Sequence, residues 1–375
     1  MTDIGFVRSE IVPARPAPIR TSGIVAWARK NLFATPLDSV LTVLGAAFLL
    51  WVVPPLYGFF FGNAVGPGGT VEQCRLENAG ACWAYIAAEM NFFIYGFYPV
   101  QEFWRPNLVF ALGALLLTPM LIPKMPFKRL NAVLLLIVYP IVSYILLAGG
   151  LFGLRVVPTE QWGGLLVTLI ISVVGITLSF PMGIVLALGR QSNLPIIKTV
   201  CIMFIELIRA VPLITILFMA SVMLPLFMPQ GMTVDKFLRA LVGVTLFTSA
   251  YMAEVVRGGL QAIPRGQYEA AAALGLGYWR RMWFIILPQA LKHVIPGIVN
   301  NFISLFKDTS LVYIVGMRDL LEAVKTKNDS AIEWQSANTA TTGYIFAAMV
   351  FWVFCFGMSR YSIFMERRLN TGYKR

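Results

Sequence analysis

The sequence predicts an all-α integral membrane protein with about eight transmembrane helices. Of its 375 residues, 58% are hydrophobic and only 13% carry charge, roughly half the charged share of an ordinary soluble domain. Residues 130–154 and 161–189 hold no charged side chain at all, and each run exceeds the ~20 residues a helix needs to cross the hydrocarbon core. A helix satisfies its backbone groups within the segment, which lipid demands. The third observation is an uneven spread of Lys and Arg among the loops, which orients the spans.

The first 37 residues are basic and proline-dotted (Arg8, Arg15, Arg20, Arg29, Lys30) and lack the apolar core of a signal peptide, so the first apolar run reads as a retained anchor. Apolar runs place spans at about 38–61, 106–123, 130–150, 163–189, 199–224, 240–262, 293–316 and 341–359. With the N-terminus inside, the cytoplasmic segments hold 19 of the 30 Lys/Arg and 4 of the 18 Asp/Glu, whereas the outer segments hold 8 and 10. That asymmetry puts both termini and residues 263–292 on the cytoplasmic side. It also assigns the net charge of +12 to the membrane face, with lipid and not nucleic acid as its partner.

Four parts follow. Residues 1–37 form a basic cytoplasmic segment, and 38–150 form three helices with an outer loop at 62–105. A longer unit spans 160–365 with a cytoplasmic loop at 264–288, and 366–375 form a cytoplasmic tail. The outer loop is rich in aromatics (Trp83, Tyr85, Phe92, Phe93, Tyr95, Tyr98), which are expected at headgroup level. It also holds Cys74 and Cys82, which in an oxidising compartment either close a local disulfide or stay free. Cys201 and Cys355 lie in spans and read as packing residues. A basic turn at 124–129 joins spans two and three, and no internal repeat is evident.

No GxxxxGK[ST] phosphate loop occurs, so the chain is not expected to bind ATP by that route. The lone histidine, His293, has no HExxH partner or cysteine cluster. No metal, no cofactor and no catalytic residue is expected, and the chain is not read as an enzyme.

Charges within spans are costly and call for partners. Glu206 and Arg209 stand three apart on one helix, as do Glu254 and Arg257, so each pair shares a face. An ion pair fixing helix packing is the preferred reading for both. Asn300, Asn301, Lys307, Asp308, Thr309 and Ser310 form a polar stripe within the seventh span. Adjacent helical residues lie about 100° apart, so Lys307 and Asp308 cannot face each other well. Two readings stay open. Asn301, Lys307 and Asp308, with Thr309 in support, line a substrate path, or Lys307 and Asp308 anchor neighbouring helices. On the first reading Asp308 and Asn301 suit the ammonium group of a zwitterion, and Arg209 suits its carboxylate.

The loop "EAAAALGLGYWRRMWFIILP" (269–288) predicts a short helix, a glycine stop at Gly275 and a second helix before Pro288. Its residues Glu269, Ala270, Ala271, Gly275, Ile285, Leu287 and Pro288 match the pattern EAA, three residues, G, nine residues, I, one residue, LP. That pattern resembles the coupling motif of permease subunits of bacterial ATP-binding-cassette importers. The segments "IELIRAVPLI" (205–214), "AYMAEVVRGGLQAIPRGQYEAA" (250–271) and "KDTSL" (307–311) resemble the polar amino-acid permeases of that group. The three leading spans resemble the extended M-type subunits of the general L-amino-acid permease system.

The resemblance implies a five-helix type I importer permease core preceded by three extra helices, in the bacterial inner membrane. It implies a second homologous permease chain (or a second copy), two ATPase subunits that carry ATP and Mg and dock on 264–288, and a periplasmic amino-acid-binding protein. Polar or general L-amino acids would be the cargo. The alternative is an autonomous ion-coupled secondary transporter, which predicts inverted repeats and broken helices.

Overall fold

The computed structural model describes residues 23–122, 125–229 and 234–369. Arg8, Arg15 and Arg20, Lys124 of the basic turn and tail residues 370–375 lie outside the described residues. The chain divides into two compact units, 1–64 and 65–375.

In the first unit, α1 (Ile24–Asn31) precedes α2 (Pro36–Tyr57), which runs on as a π-helical turn to Gly62. The start of α2 is set by a capping box. The Thr35 hydroxyl accepts from the Asp38 amide at 3.1 Å, and the Asp38 carboxylate accepts from the Thr35 amide at 3.1 Å. No residue of α2 is buried within the protein, as expected of a helix whose sides face lipid.

The second unit opens with α3 (Val71–Cys74) and α4 (Trp83–Tyr95), followed by α5 (Trp104–Leu121), α6 (Lys128–Val133) and α7 (Tyr139–Ala148). Then come α8 (Gly164–Arg190), α9 (Pro195–Ala210), α10 (Leu213–Phe218) and α11 (Lys236–Gln261). The loop helices α12 (Arg265–Ala273), α13 (Tyr278–Arg281) and α14 (Leu287–His293) lead to α15 (Ile295–Asp308), α16 (Leu320–Ser330) and α17 (Ala337–Leu369). Among the described residues, six helices are long and apolar enough to cross a membrane, or eight if two bent pairs each count as one span. The chain is thus an all-α integral membrane protein.

One bend breaks the span expected at 199–224, and the other falls at the start of the span expected at 293–316. Helices α9 and α10 meet at 106°. Pro212 supplies no amide hydrogen and drives Val211 to extended backbone (φ −108°, ψ 136°), which no α-helix continues. A second break of 67° falls at Val294, just before Pro296.

Helices α8 and α11 form the centre, and small residues let them approach. A Cβ on Gly183 would stand 2.6 Å from the Met252 side chain. One apolar cluster (Leu166, Ile171, Leu217, Val244, Leu305) fills the end nearest the start of α8, and another (Ala187, Met252, Val256, Leu260, Ile286) fills the opposite end.

Several aromatics of loop 62–105 pack inside the protein. Tyr85, Phe93 and Tyr98 are buried, and α4 packs on α16 and α17. The cause is a close backbone approach. Gly164 has φ +63°, and a Cβ there would run into the Phe93 carbonyl. Cys74 and Cys82 form a disulfide. The loop is therefore a folded cap.

Candidate functional site

The loop at 264–288 folds as a helical hairpin around a glycine. Helix α12 ends in a Schellman motif: the Leu276 amide donates to the Ala271 carbonyl at 3.2 Å and the Gly275 amide to Ala272 at 2.9 Å. Gly275 takes φ +71°, the left-handed conformation that a Cβ disfavours. One side of the hairpin is fixed to the membrane helices. Ala271, Met282, Ile286 and Leu287 are buried, the last three against Met252, Val256 and Leu260, with Ile285 partly buried beside them. The Tyr268 hydroxyl donates to the Leu260 carbonyl at 3.2 Å. The other side is free: Glu269, Ala270, Leu274 and Pro288 are exposed.

The same turns of α11 carry a charged cluster. Glu254 is bonded by the Arg257 side chain, with the Arg257 Nε at 2.9 Å. Its other carboxylate oxygen lies 3.4 Å from Arg190 and 3.6 Å from Arg209. Glu206 pairs with Arg190 at 2.8 Å. The i,i+3 pair expected between Glu206 and Arg209 is thus absent. Arg190, at the C-terminal end of α8, reaches Glu206 first, and Arg209 turns to Glu254 instead. Three arginines from three helices meet two glutamates, leaving a surplus positive charge. Arg209 is the least satisfied. Its Nε is buried with no hydrogen-bond partner, and its guanidinium lies 5.5 Å from the Tyr251 ring centre. Sequence reasoning missed Arg190 and Tyr251. Arg190 ends a charge-free run and lies just past the span expected at 163–189, and no spacing in the sequence ties Tyr251 to Arg209.

The stripe on α15 is divided. Gly297 abuts Val255 and Leu305 abuts Gly175, so the face one turn apart that includes Asn301 looks onto α11 and α8. The Asn301 Nδ2 is buried there without a partner. Thr309 is wholly buried, and its hydroxyl donates to the Phe306 carbonyl at 2.8 Å. Thr309 therefore faces the interior and no open path. Lys307 is exposed and Asp308 half-buried. No ion pair joins the two residues.

Among the described residues no group of three or more His, Cys, Asp or Glu could hold a metal. Residues 179–371 match the family described as the binding-protein-dependent transport system inner membrane component. The chain belongs to this family. It is 50% identical over 361 residues to the inner membrane amino-acid ABC transporter permease protein YhdY of Escherichia coli K12, covering 96% of this chain and 97% of the relative. It is 40% identical over a 440-position alignment, covering 100% of this chain and of the relative, to the glutamate/glutamine/aspartate/asparagine transport system permease protein BztC of Rhodobacter capsulatus. A crystal structure of an amino acid ABC transporter with histidines aligns at TM-score 0.48 and 31% identity, covering 55% of this chain and 92% of that one. The permease is a multi-pass protein of the inner membrane.

Proposed function

We propose that this permease subunit of an ATP-driven amino-acid importer forms half of a translocation path with a second permease chain. It takes L-amino acids from a periplasmic binding protein and is driven by two ATPase subunits docked on residues 264–288. ATP and Mg belong to those subunits, and this chain binds no cofactor. Both termini face the cytoplasm, a reading supported by the Lys/Arg excess on that side.

The observation that carries this is the two-sided hairpin. Its Met282–Leu287 side is packed on α11, to which Tyr268 also bonds, and its Glu269–Ala270–Leu274 side is free for a partner. A rigid helix so anchored passes a push from the ATPase into the helix that carries Glu254 and Arg257. The cargo is inferred to be polar amino acids, in keeping with the substrates named for the Rhodobacter relative. Arg209 and Tyr251 would hold the carboxylate; Asn301 and Asp308 would hold the ammonium group. The relatives give autonomous ion-coupled transport no support, and the two broken spans alone do not separate it from an importer.

Leu274→Glu tests the reading. It alters an exposed side chain, so insertion and disulfide formation should survive. ATPase subunits should no longer co-purify, and uptake should fall at least tenfold. Normal co-purification and uptake would sink the docking assignment.

A further inference from the structure

Helix α16 separates two cavities that share the side chain of Tyr344. The first, about 210 Å³, lies at the seam between the cap and the core and is lined by Tyr85, Lys327, Asp329, Trp334 and Tyr344 among others. The second, about 300 Å³, is lined by Ser310, Tyr313, Glu322, Lys325 and Tyr344 among others. Both fall at or below the ~300–1,000 Å³ of pockets for drug-sized ligands, a scale suited to a single amino acid.

Their walls repeat the same chemistry. Each offers one lysine, one carboxylate and two or more aromatic rings. In the first, Lys327 is held by Glu89 at 2.6 Å and lies 4.8 Å from the Phe92 ring centre, which keeps its ammonium in place with donors to spare. Asp329 has no ion pair among the described residues, and Trp334 and Tyr85 stand 5.9 Å apart. A carboxylate beside aromatic faces suits a ligand ammonium group. In the second, Lys325 and Glu322 are only loosely paired at 3.7 Å, with Lys325 at 5.8 Å from the Tyr313 ring centre. Ser310 in this wall is the last residue of the polar stripe, so the second cavity opens beside it.

The partition between the cavities is built with care. A Cβ on Gly343 would lie 2.8 Å from Val324 and 3.2 Å from Asn328, so α17 is held against α16 where Tyr344 stands. The Tyr85 hydroxyl donates to Asn328 at 2.9 Å, which ties the cap into the same wall.

We propose that these cavities are a two-chamber antechamber for a zwitterionic amino acid, with Tyr344 as the partition between the outer chamber and the polar stripe. The cap contributes Tyr85 and, through Glu89, the placement of Lys327, which gives the N-terminal extension a part in substrate entry. The inference rests on the permease reading and deepens it.

The test uses the full chain with its co-purified subunits in lipid nanodiscs, and radiolabelled L-glutamine and L-glutamate as probes. Binding is measured directly and uptake is measured in proteoliposomes of the same preparation. Asp329→Asn and Glu322→Gln should each weaken direct binding about tenfold. Tyr344→Trp, at the side chain the two cavities share, should slow uptake several-fold. Saturable binding in the wild type that is unchanged in both Asp329→Asn and Glu322→Gln overturns the antechamber. So does uptake by a wild type that shows no direct binding. Absence of uptake by the wild-type complex would instead remove the permease reading.

Discussion

At Gly275 the demand is conformational and not steric. A Cβ there would meet nothing within 4 Å, yet φ is +71°, and an ordinary L-residue in that region costs roughly 1–2 kcal/mol. Asn tolerates the left-handed region better than β-branched residues do. Gly275→Asn should therefore keep most uptake and ATPase co-purification, and Gly275→Val should lose most of both, although Asn and Val are similar in size. Equal behaviour of the two variants would show that room, and not backbone conformation, is what matters. Arg209 offers a second residue-scale prediction. Lys cannot reproduce a bidentate grip or the stacking on Tyr251, so Arg209→Lys should raise the half-saturation concentration for uptake about tenfold, with basal ATPase activity unchanged. Uptake kinetics of the reconstituted complex read this directly, and an unaltered half-saturation would leave Arg209 a purely structural member of the Glu254 cluster.

At the scale of elements, α16 carries a pH-dependent anchor. Asp319 is fully buried and caps α16, accepting from the Leu321 and Glu322 amides at 3.1 Å each. Burial nonetheless lifts its carboxyl to about 6, from an ordinary 3.8. A group raised in the folded state binds protons more tightly there than in the unfolded chain. Its stabilising contribution is thus fully present below pH 3.8 and is lost as pH rises through about 6. Between pH 5 and pH 7.5 the thermal midpoint of the detergent-solubilised chain should fall, and Asp319→Asn, which keeps a capping oxygen, should flatten that dependence. The cap itself is stapled by Cys74–Cys82, and removing so short a loop's crosslink costs about 2 kcal/mol. Cys74→Ser with Cys82→Ser should lower the thermal midpoint and leave substrate preference unchanged. The elements were unequally legible in the sequence. Helix α12 and its glycine stop are local matters of propensity and capping, so the EAA loop could be read in advance. The bend at Val211–Pro212 carries a local signal that an apolar run conceals. The cap carries none. Arg75 donates to the Ile332 carbonyl across 257 positions of sequence, and Glu89 meets Lys327; only the folded chain brings these together.

Across the whole molecule, two features outside the antechamber stand in series along α11. The 264–288 hairpin is packed on Met252, Val256 and Leu260, and Glu254 gathers arginines from α8, α9 and α11 between those same turns. Towards the other end, Leu305 and Val244 pack together around Gly175, just before Lys307 and Asp308. A displacement of the hairpin must move Glu254 relative to Arg190 and Arg209, because packed helices shift as bodies and do not deform continuously. Asp308 then decides between the two readings of the stripe. It has no ion pair among the described residues although it is half-buried in a span, which suits a carboxylate waiting for a substrate ammonium better than one anchoring a helix. Asp308→Asn in the assembled complex keeps the side chain's shape and removes its charge. A binding role predicts a half-saturation concentration raised about tenfold for neutral amino acids and a shift in preference among acidic, neutral and basic ones, with basal ATPase activity retained. Should the variant instead lose assembly while its residual uptake keeps the wild-type preference, Asp308 is a structural residue and the ammonium site lies with Asn301 or on the partner permease.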